Sequence, residues 1–401
     1  MQFNRTTPLA LAAVLLLQFS AIEGSSALSP NSVSNVFDRS ASKKELANPS
    51  VIVLDQKSGE VVFSKNPNSL RKPASVQKIF AAVSALTHMQ PSDSFTTRVS
   101  LGQREGTLVI AGERDPWISF NHRDALRLDR TSLPRIENKS FSALQEAYPA
   151  GLKKIKIYYS NLYSQEVAHI KAFYKKRGIS AAMKLANSRE IQELAGKEIL
   201  TSSSPELQRM LAYILTWSDN ALTERIARLA ARAAGESVDE KGVAATFEAI
   251  LDSFDIDSSK LLVQDASGLS RQNKVTAAQV GALLLKIRYE PQFAPLISGL
   301  PIGGITGTMQ DRFRDTAPDA IGLVKAKTGT LRGTTNLAGY VESGDREYAF
   351  VIIADRHSRT SAAAKRAKAT VDRILGRIAE PLMPEIVIEP DEFNTEMTAT
   401  I

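Results

Sequence analysis

Apolar and polar positions alternate most clearly near the two ends of the chain. Ser50 to Asp55 and Glu60 to Ser64 are strand-like runs joined by Gln56 to Gly59, which predicts a β-hairpin. Pro73 follows, and Val76, Ile79, Phe80, Val83 and Leu86 then recur at helical spacing. A buried helix is predicted here, with Ser75 in its first turn. Toward the C-terminus, Gly322 to Thr328, Leu337 to Glu342 and Tyr348 to Ala354 read as strands, the last two joined by Ser343-Gly344-Asp345. Strands joined by short turns imply an antiparallel sheet rather than βαβ units. Helical periodicity marks two pieces between Pro205 and Ala234 that flank the break Trp217 to Asn220, then Thr276 to Ile287 and the closing stretch Ser361 to Ile378. No internal repeat is visible.

Residues 92–200 differ in texture, with short β-like pieces (Thr107 to Ala111, Ile155 to Tyr159), many charges and long polar connections. They are expected to form a smaller inserted domain, leaving 28–91 and 201–378 as the principal one. The polar stretch 28–48 precedes the hairpin, and the acidic tail 379–401 is expected to be flexible.

The first 27 residues combine Arg5, the apolar run Leu9 to Leu17 and the small residues Ser25, Ser26 and Ala27, the pattern of a secretory signal peptide. The run falls well short of the roughly 20 residues that span a bilayer, so cleavage is expected, with an uncleaved anchor as the alternative. The chain of 401 residues is 43% hydrophobic and 23% charged, enough for a full globular core. It has no cysteine, which excludes disulfides and thiol chemistry. The net charge of +7 favours anionic partners, but the basic residues are dispersed and leave no nucleic-acid footprint.

Three short patterns occur in order: Ser75-Val76-Gln77-Lys78, Ser218-Asp219-Asn220 and Lys327-Thr328-Gly329. Together they form the set shared by penicillin-binding proteins and class A β-lactamases. Similar fragments occur elsewhere, at Ser40 to Lys43, Ser69 to Lys72 and Lys57 to Gly59. Ser40 has no apolar helix behind it, and a helix from Ser69 would meet Pro73 in its interior at a cost of about 3 kcal/mol. Residues three apart share a helix face, so the Lys78 amine reaches the Ser75 hydroxyl. An ordinary lysine, with a pKa of about 10.4, is protonated at neutral pH. A basic role for Lys78 therefore requires burial and a neighbouring cation, for which Lys327 is the candidate. Lys327 and the hydroxyls of Thr328 and Thr330 would meet a substrate carboxylate, and Gly329 allows another backbone to approach. Ser218 is a candidate proton relay to a leaving amine, and Asn220 a candidate ligand for a substrate amide. The four histidines sit in neither an H-E-x-x-H nor a G-x-S-x-G context, so zinc peptidase and α/β-hydrolase chemistry lack their key residues. Gly112 to Pro116 lacks the ending of a phosphate loop and reads as a turn.

These residues resemble the D-alanyl-D-alanine carboxypeptidase/endopeptidase group of class C low-molecular-mass penicillin-binding proteins. The likeness extends to Pro73 to Lys78, to Ala111 to Pro116 as a worn G-G-x-D-P, to Asp265-Ala266-Ser267-Gly268-Leu269-Ser270-Arg271, to Leu300 to Phe313 and to Ala326 to Val341. The resemblance implies an α+β fold of the β-lactamase/transpeptidase type, a five-stranded antiparallel sheet flanked by helices, with domains inserted after the S-x-x-K helix. It further implies Ser75 as acylated nucleophile, Lys78 as its base, a catalytic site completed by Ser218, Asn220 and Lys327, substrate contacts from Thr328, Gly329 and Thr330, and an oxyanion hole from the N–H groups of Ser75 and Thr330. The implied partners are peptidoglycan stem peptides and, as inhibitors, β-lactam antibiotics, outside the cytoplasm. No metal or cofactor is expected. The interval between Ser75 and Ser218 is shorter than in longer members, and Glu113 and Arg114 replace small residues. Both departures leave the balance of carboxypeptidase and endopeptidase action open. The alternatives are a serine β-lactamase or esterase on the same fold and a non-catalytic wall-binding homologue.

Overall fold

The computed structural model describes residues 28–381, so the expected signal segment and the tail beyond Pro381 lie outside the described residues. In chain order come helix α1 (Pro30–Ser40), strands β1 (Ser50–Asp55) and β2 (Val61–Lys65), helix α2 (Lys78–His88), and strands β3 (Thr96–Gly102) and β4 (Thr107–Gly112). Helices α3 (His122–Leu128) and α4 (Leu133–Ala147) lead to β5 (Lys154–Ser160), α5 (Ser164–Lys175), β6 (Ser180–Leu185), α6 (Ser188–Leu194) and β7 (Ala195–Ser203). Helices α7 (Leu207–Trp217), α8 (Asn220–Ala233), α9 (Glu240–Ser253), α10 (Ala277–Ile287) and α11 (Ala294–Gly299) follow. Strands β8 (Val324–Leu331), β9 (Thr334–Ser343) and β10 (Arg346–Ala354) and helix α12 (Ser361–Gly376) close the chain.

The principal sheet has the order β2-β1-β10-β9-β8 and is antiparallel throughout. Its central strands are buried on both faces, and the two-residue period of a strand sorts their side chains into separate cores. Ile52, Leu54, Tyr340, Val351 and Ile353 join α2 and the helices α7 to α10. Val51, Val53, Leu337, Phe350 and Ile352 meet α1 and α12 on the opposite face. The result is a helix–sheet–helix sandwich of α+β type with β8 at one edge.

A second sheet, β6-β5-β4-β3-β7, takes its strands from residues 96–203. Strands β4, β5 and β6 are parallel, which demands crossovers, and α3, α4 and α5 supply them. The long polar connections expected in this region are therefore helices. Helix α4 shows why they are hard to see. Ser132 caps it through the Arg135 N–H, yet only Leu133, Ile136, Glu137, Ser140 and Leu144 are buried, so most of the helix is polar and faces water. The polar N-terminal stretch likewise contains α1, capped by Ser29 and anchored by Val33 and Phe37. The first residues of the expected tail are tied down, since Glu380 bridges to Ser343 at the end of β9.

The second sheet's unit grips the helices on either side of residues 218 and 219. Trp117 packs on Tyr213 of α7 at 4.7 Å between ring centroids, with Arg130 stacked on the indole. Arg225 of α8 lies over the Tyr163 ring at 4.0 Å and pairs with the buried Glu166. Burial raises the carboxyls of Asp115 and Glu166 to about 6 and about 7, although Arg225 acts in the opposite direction.

Arg71 is fully buried shortly before Ser75. It donates to Asp355, to Ser50 Oγ and to the Asn48 carbonyl, while the Lys72 N–H donates to the other Asp355 oxygen. Burial alone would raise the Asp355 carboxyl, but the Lys72 N–H and the Lys72 and Arg71 charges outweigh it and hold it below its ordinary value. A carboxyl depressed in the folded state lends stability above its unfolded pKa of about 3.9, and that stability fades as pH falls through the lower folded value. Asp355→Asn leaves Arg71 buried and unpaired and should cost about 3–5 kcal/mol in urea unfolding at neutral pH. The deficit should shrink below about pH 4, where the wild-type carboxyl also takes up a proton.

Candidate active site

Ser75 lies on a 3₁₀ turn, Ala74–Gln77, and the α-helix begins only at Lys78. The expected α-helical first turn is thus replaced, under the influence of a residue distant in sequence. The Asn336 amide of β9 donates to the carbonyls of both Lys72 and Pro73, the oxygens that helix N–H groups would otherwise use. Ala74 is left-handed at φ 48° and the Val76 N–H closes an i to i+3 bond on Pro73. Three residues per turn set Lys78 directly behind Ser75, and its Nζ lies 3.0 Å from Ser75 Oγ.

Lys78 is fully enclosed and makes two further contacts, to Asn220 Oδ1 at 2.7 Å and to the Ser267 carbonyl at 2.7 Å. Burial lowers its pKa to about 8, against the pull of Asp265, Glu224 and Asp219. Lys327 is also fully enclosed. Burial, then repulsion from Lys78, pushes its pKa well down, so the effect expected of Lys327 on Lys78 is expressed most strongly at Lys327 itself. A neutral amine at position 78 has two N–H groups and one lone pair. The two acceptors take the N–H groups, and the lone pair is left for the Ser75 hydroxyl.

The Ser218-Asp219-Asn220 pattern is explained by capping. Ser218 ends α7 in the left-handed conformation at φ 63°, and the Asp219 carboxylate caps α8 by accepting from the Leu222 N–H. Asn220 is then the first residue of α8, exposed overall but with its Oδ1 turned to Lys78. Ser218 is half-buried, and its hydroxyl makes no hydrogen bond among the described residues.

Lys327 does not end its strand as expected. Strand β8 runs on to Leu331 because Arg332-Gly333, with Gly333 at φ 80°, forms a two-residue hairpin turn. The outer edge of β8 is covered only at its start, where Ala326 N–H donates to Pro301 and Gly303 N–H to Val324. By the alternation of an antiparallel strand, the N–H and C=O groups of Thr328 and Thr330 face the same edge farther along, where no strand pairs with it among the described residues. Thr328 Oγ1 is bonded to Thr308, and Thr330 is exposed. Gly329 packs against the nucleophile segment, where an added Cβ would lie 2.8 Å from the Pro73 carbonyl oxygen.

The loop from Asp265 to Arg271 has a role that its residue types do not announce. Asp265 accepts from the N–H groups of Gly268, Leu269 and Ser270, while Glu224 of α8 accepts from the Ser267 N–H. This web aims the Ser267 carbonyl at Lys78. The segment carries the family resemblance, but its local signal is only an aspartate followed by Ser-Gly at turn spacing, which assigns no role to a carbonyl. Asn336 was also missed, although a lone amide inside a buried apolar strand is itself a signal.

Comparison with known proteins gives this geometry a lineage. The model of the D-Ala-D-Ala carboxypeptidase 3 (S13) family matches residues 33–155 and 152–377. The chain belongs to that S13 family. A carboxypeptidase DacB of Mycolicibacterium smegmatis is 35% identical over 179 residues, and a D-alanyl-D-alanine carboxypeptidase of Actinomadura sp. is 34% identical over 184. These alignments cover 43% and 44% of this chain but only 39% and 33% of the relatives' lengths. Penicillin binding protein 4 of Haemophilus influenzae, solved also in complex with a β-lactam, shares the fold at a TM-score of 0.64 and 18% identity, over 86% of this chain and 98% of that one.

Gly268 tests the loop's place in this S13 site. It sits at φ 82°, and an added Cβ would fall 1.8 Å from the Ala74 carbonyl oxygen. Gly268→Ala should move the Ser75 turn and lower the rate of Ser75 acylation by a labelled penicillin at least about tenfold, a loss of about 1.4 kcal/mol in the barrier. An acylation rate equal to wild type would show that the loop does not set the nucleophile.

Proposed function

We propose that this chain is an exported serine D-Ala-D-Ala carboxypeptidase that acts on peptidoglycan stem peptides and is inhibited by β-lactams. The observation that carries the reading is the enclosed Lys78 amine, 3.0 Å from Ser75 Oγ, with its other contacts held by Asn220 and Ser267. The Ser75 oxygen attacks the penultimate D-Ala carbonyl as its proton passes to Lys78, and the oxyanion is held by the N–H groups of Ser75 and Thr330. Collapse breaks the peptide bond, D-Ala leaves with a proton relayed through Ser218, and water then hydrolyses the acyl-enzyme.

An extended peptide fits the free edge of β8 as an added strand, with its carboxylate at the Thr328 and Thr330 hydroxyls. Lys327 is enclosed, so its part is electrostatic: an arriving carboxylate favours its protonated form, and that charge in turn keeps Lys78 neutral. The Asn220 amide nitrogen makes no hydrogen bond among the described residues and is available for a substrate carbonyl. Export rests on the N-terminal apolar pattern, and no described helix is long and apolar enough to cross a membrane. Residues 92–200 are read as an inserted domain.

Intact-protein mass spectrometry with penicillin should show one adduct, absent in Ser75→Ala. Steady nitrocefin turnover would favour the β-lactamase alternative, and peptidoglycan binding without D-Ala release would favour the non-catalytic one. The acylation rate should rise with pH and level off above about pH 8, because only neutral Lys78 accepts the proton. Lys78→Ala should remove that inflection and cost about 10²- to 10⁴-fold in rate.

A further inference from the structure

The second sheet is covered unequally on its two faces. One face carries Val99, Leu108, Ile110, Ile155 and Ile157 and is sealed by α4 and α5. On the other, the short α6 covers only the part around Val109 and Ile191. The remainder is a groove of about 520 Å³ along β5 and β6.

Strand pairing sets the groove's chemistry. Lys156 is level with Ala182, and Tyr158 with Lys184, so Lys154, Lys156, Tyr158, Ala182 and Lys184 share this face. Arg104 lies at the groove's end beside a single acid, Glu105. The three lysines and Arg104 are exposed, and none forms an ion pair among the described residues. Lys154, Lys156 and Arg104 in the lining, with Lys184 just beyond it on the same face, surround a half-exposed aromatic ring and a small apolar floor and match a polymer that carries repeated carboxylates on a sugar chain.

We propose that this groove is an accessory site for the peptidoglycan polymer, with stem-peptide carboxylates on Lys154, Lys156 and Lys184 and a sugar ring against Tyr158. The proposal rests on the wall-directed reading of the Ser75 site and deepens it. The groove holds a second stretch of the polymer whose free peptide ends the catalytic site cleaves.

The test uses purified sacculi as the probe and the full-length protein carrying Ser75→Ala, so that binding is measured without turnover. K154E/K156E/K184E should weaken sacculus binding about tenfold and flatten its dependence on salt. The same triple change with Ser75 intact should leave penicillin acylation and cleavage of a short soluble D-Ala-D-Ala peptide within about twofold of wild type, since the groove lies on the second sheet and shares no lining residue with the Ser75 site. If the charge reversal prevents acylation, the milder K154Q/K156Q/K184Q decides. Wild-type sacculus binding in a variant that still acylates overturns the proposal. So does loss of binding in K365E/R366E/R373E, on the exposed basic face of α12, with normal binding in the groove variant. Failure of Ser75 to take up penicillin would instead sink the catalytic reading and leave the groove's measured affinity intact.

Discussion

The structure turns on one amine buried among neutral acceptors. Lys78 draws on three distant parts of the chain: the nucleophile turn, the first residue of α8, and the carbonyl of Ser267. An ammonium removed from water is costly unless paired, and among the described residues the contacts of this one are a hydroxyl, an amide oxygen and a backbone carbonyl. Asp265, Glu224 and Asp219 act from beyond contact distance, enough to restrain the fall in pKa without reversing it. The balance leaves an amine whose pKa of about 8 makes both of its protonation states accessible near neutrality. A carboxylate in contact with Lys78 would have held it charged, with no lone pair to face the Ser75 hydroxyl.

Holding that amine requires the Ser75 turn to be held first, and much of the sheet contributes. Arg71 and Asp355 clamp the incoming chain, and Asn336 takes the two carbonyls ahead of the turn. Gly268 and Gly329 both approach it so closely that a methyl group on either would strike backbone. Ala74 adopts a left-handed conformation, which costs an alanine roughly 1–2 kcal/mol and persists only where the surroundings enforce it. The strain and its supports belong together, since a relaxed turn would continue the helix and carry Ser75 away from the edge of β8.

The elements legible in the sequence are those whose local pattern and tertiary role agree. The hairpin at 50–65, the helices on either side of Ser218 and the strands near the C-terminus follow from periodicity and turn residues alone. The ordered S-x-x-K, S-D-N and K-T-G patterns were readable because their information lies in side-chain identity and order, and the structure brings Ser75, Lys78 and Asn220 together while Asp219 caps α8. What escaped was carried by backbone or by surface. The Ser267 carbonyl has no signature in its residue type. Helices α1 and α4 bury so few apolar side chains that their polar majority reads as loop. The 3₁₀ turn was hidden for another reason: Asn336, far along the chain, sets the hydrogen bonding of Pro73.

The way the second sheet's unit attaches connects the site to the rest of the molecule. Trp117 holds α7 by Tyr213, and Arg225 holds α8 against Tyr163 and Glu166, so both helices that flank residues 218 and 219 are gripped from the same side. Glu224, the neighbour of Arg225 on α8, accepts from the Ser267 N–H. Helix α8 therefore binds that unit through one residue and orients the acceptor for Lys78 through the next. A shift of α8 by a fraction of an ångström would move Asn220 Oδ1 and the Ser267 carbonyl together, because both are fixed to the same rigid rod. The unit thus does more than enlarge the surface: it fixes the position of the helix that supplies one acceptor to Lys78 directly and aims the other.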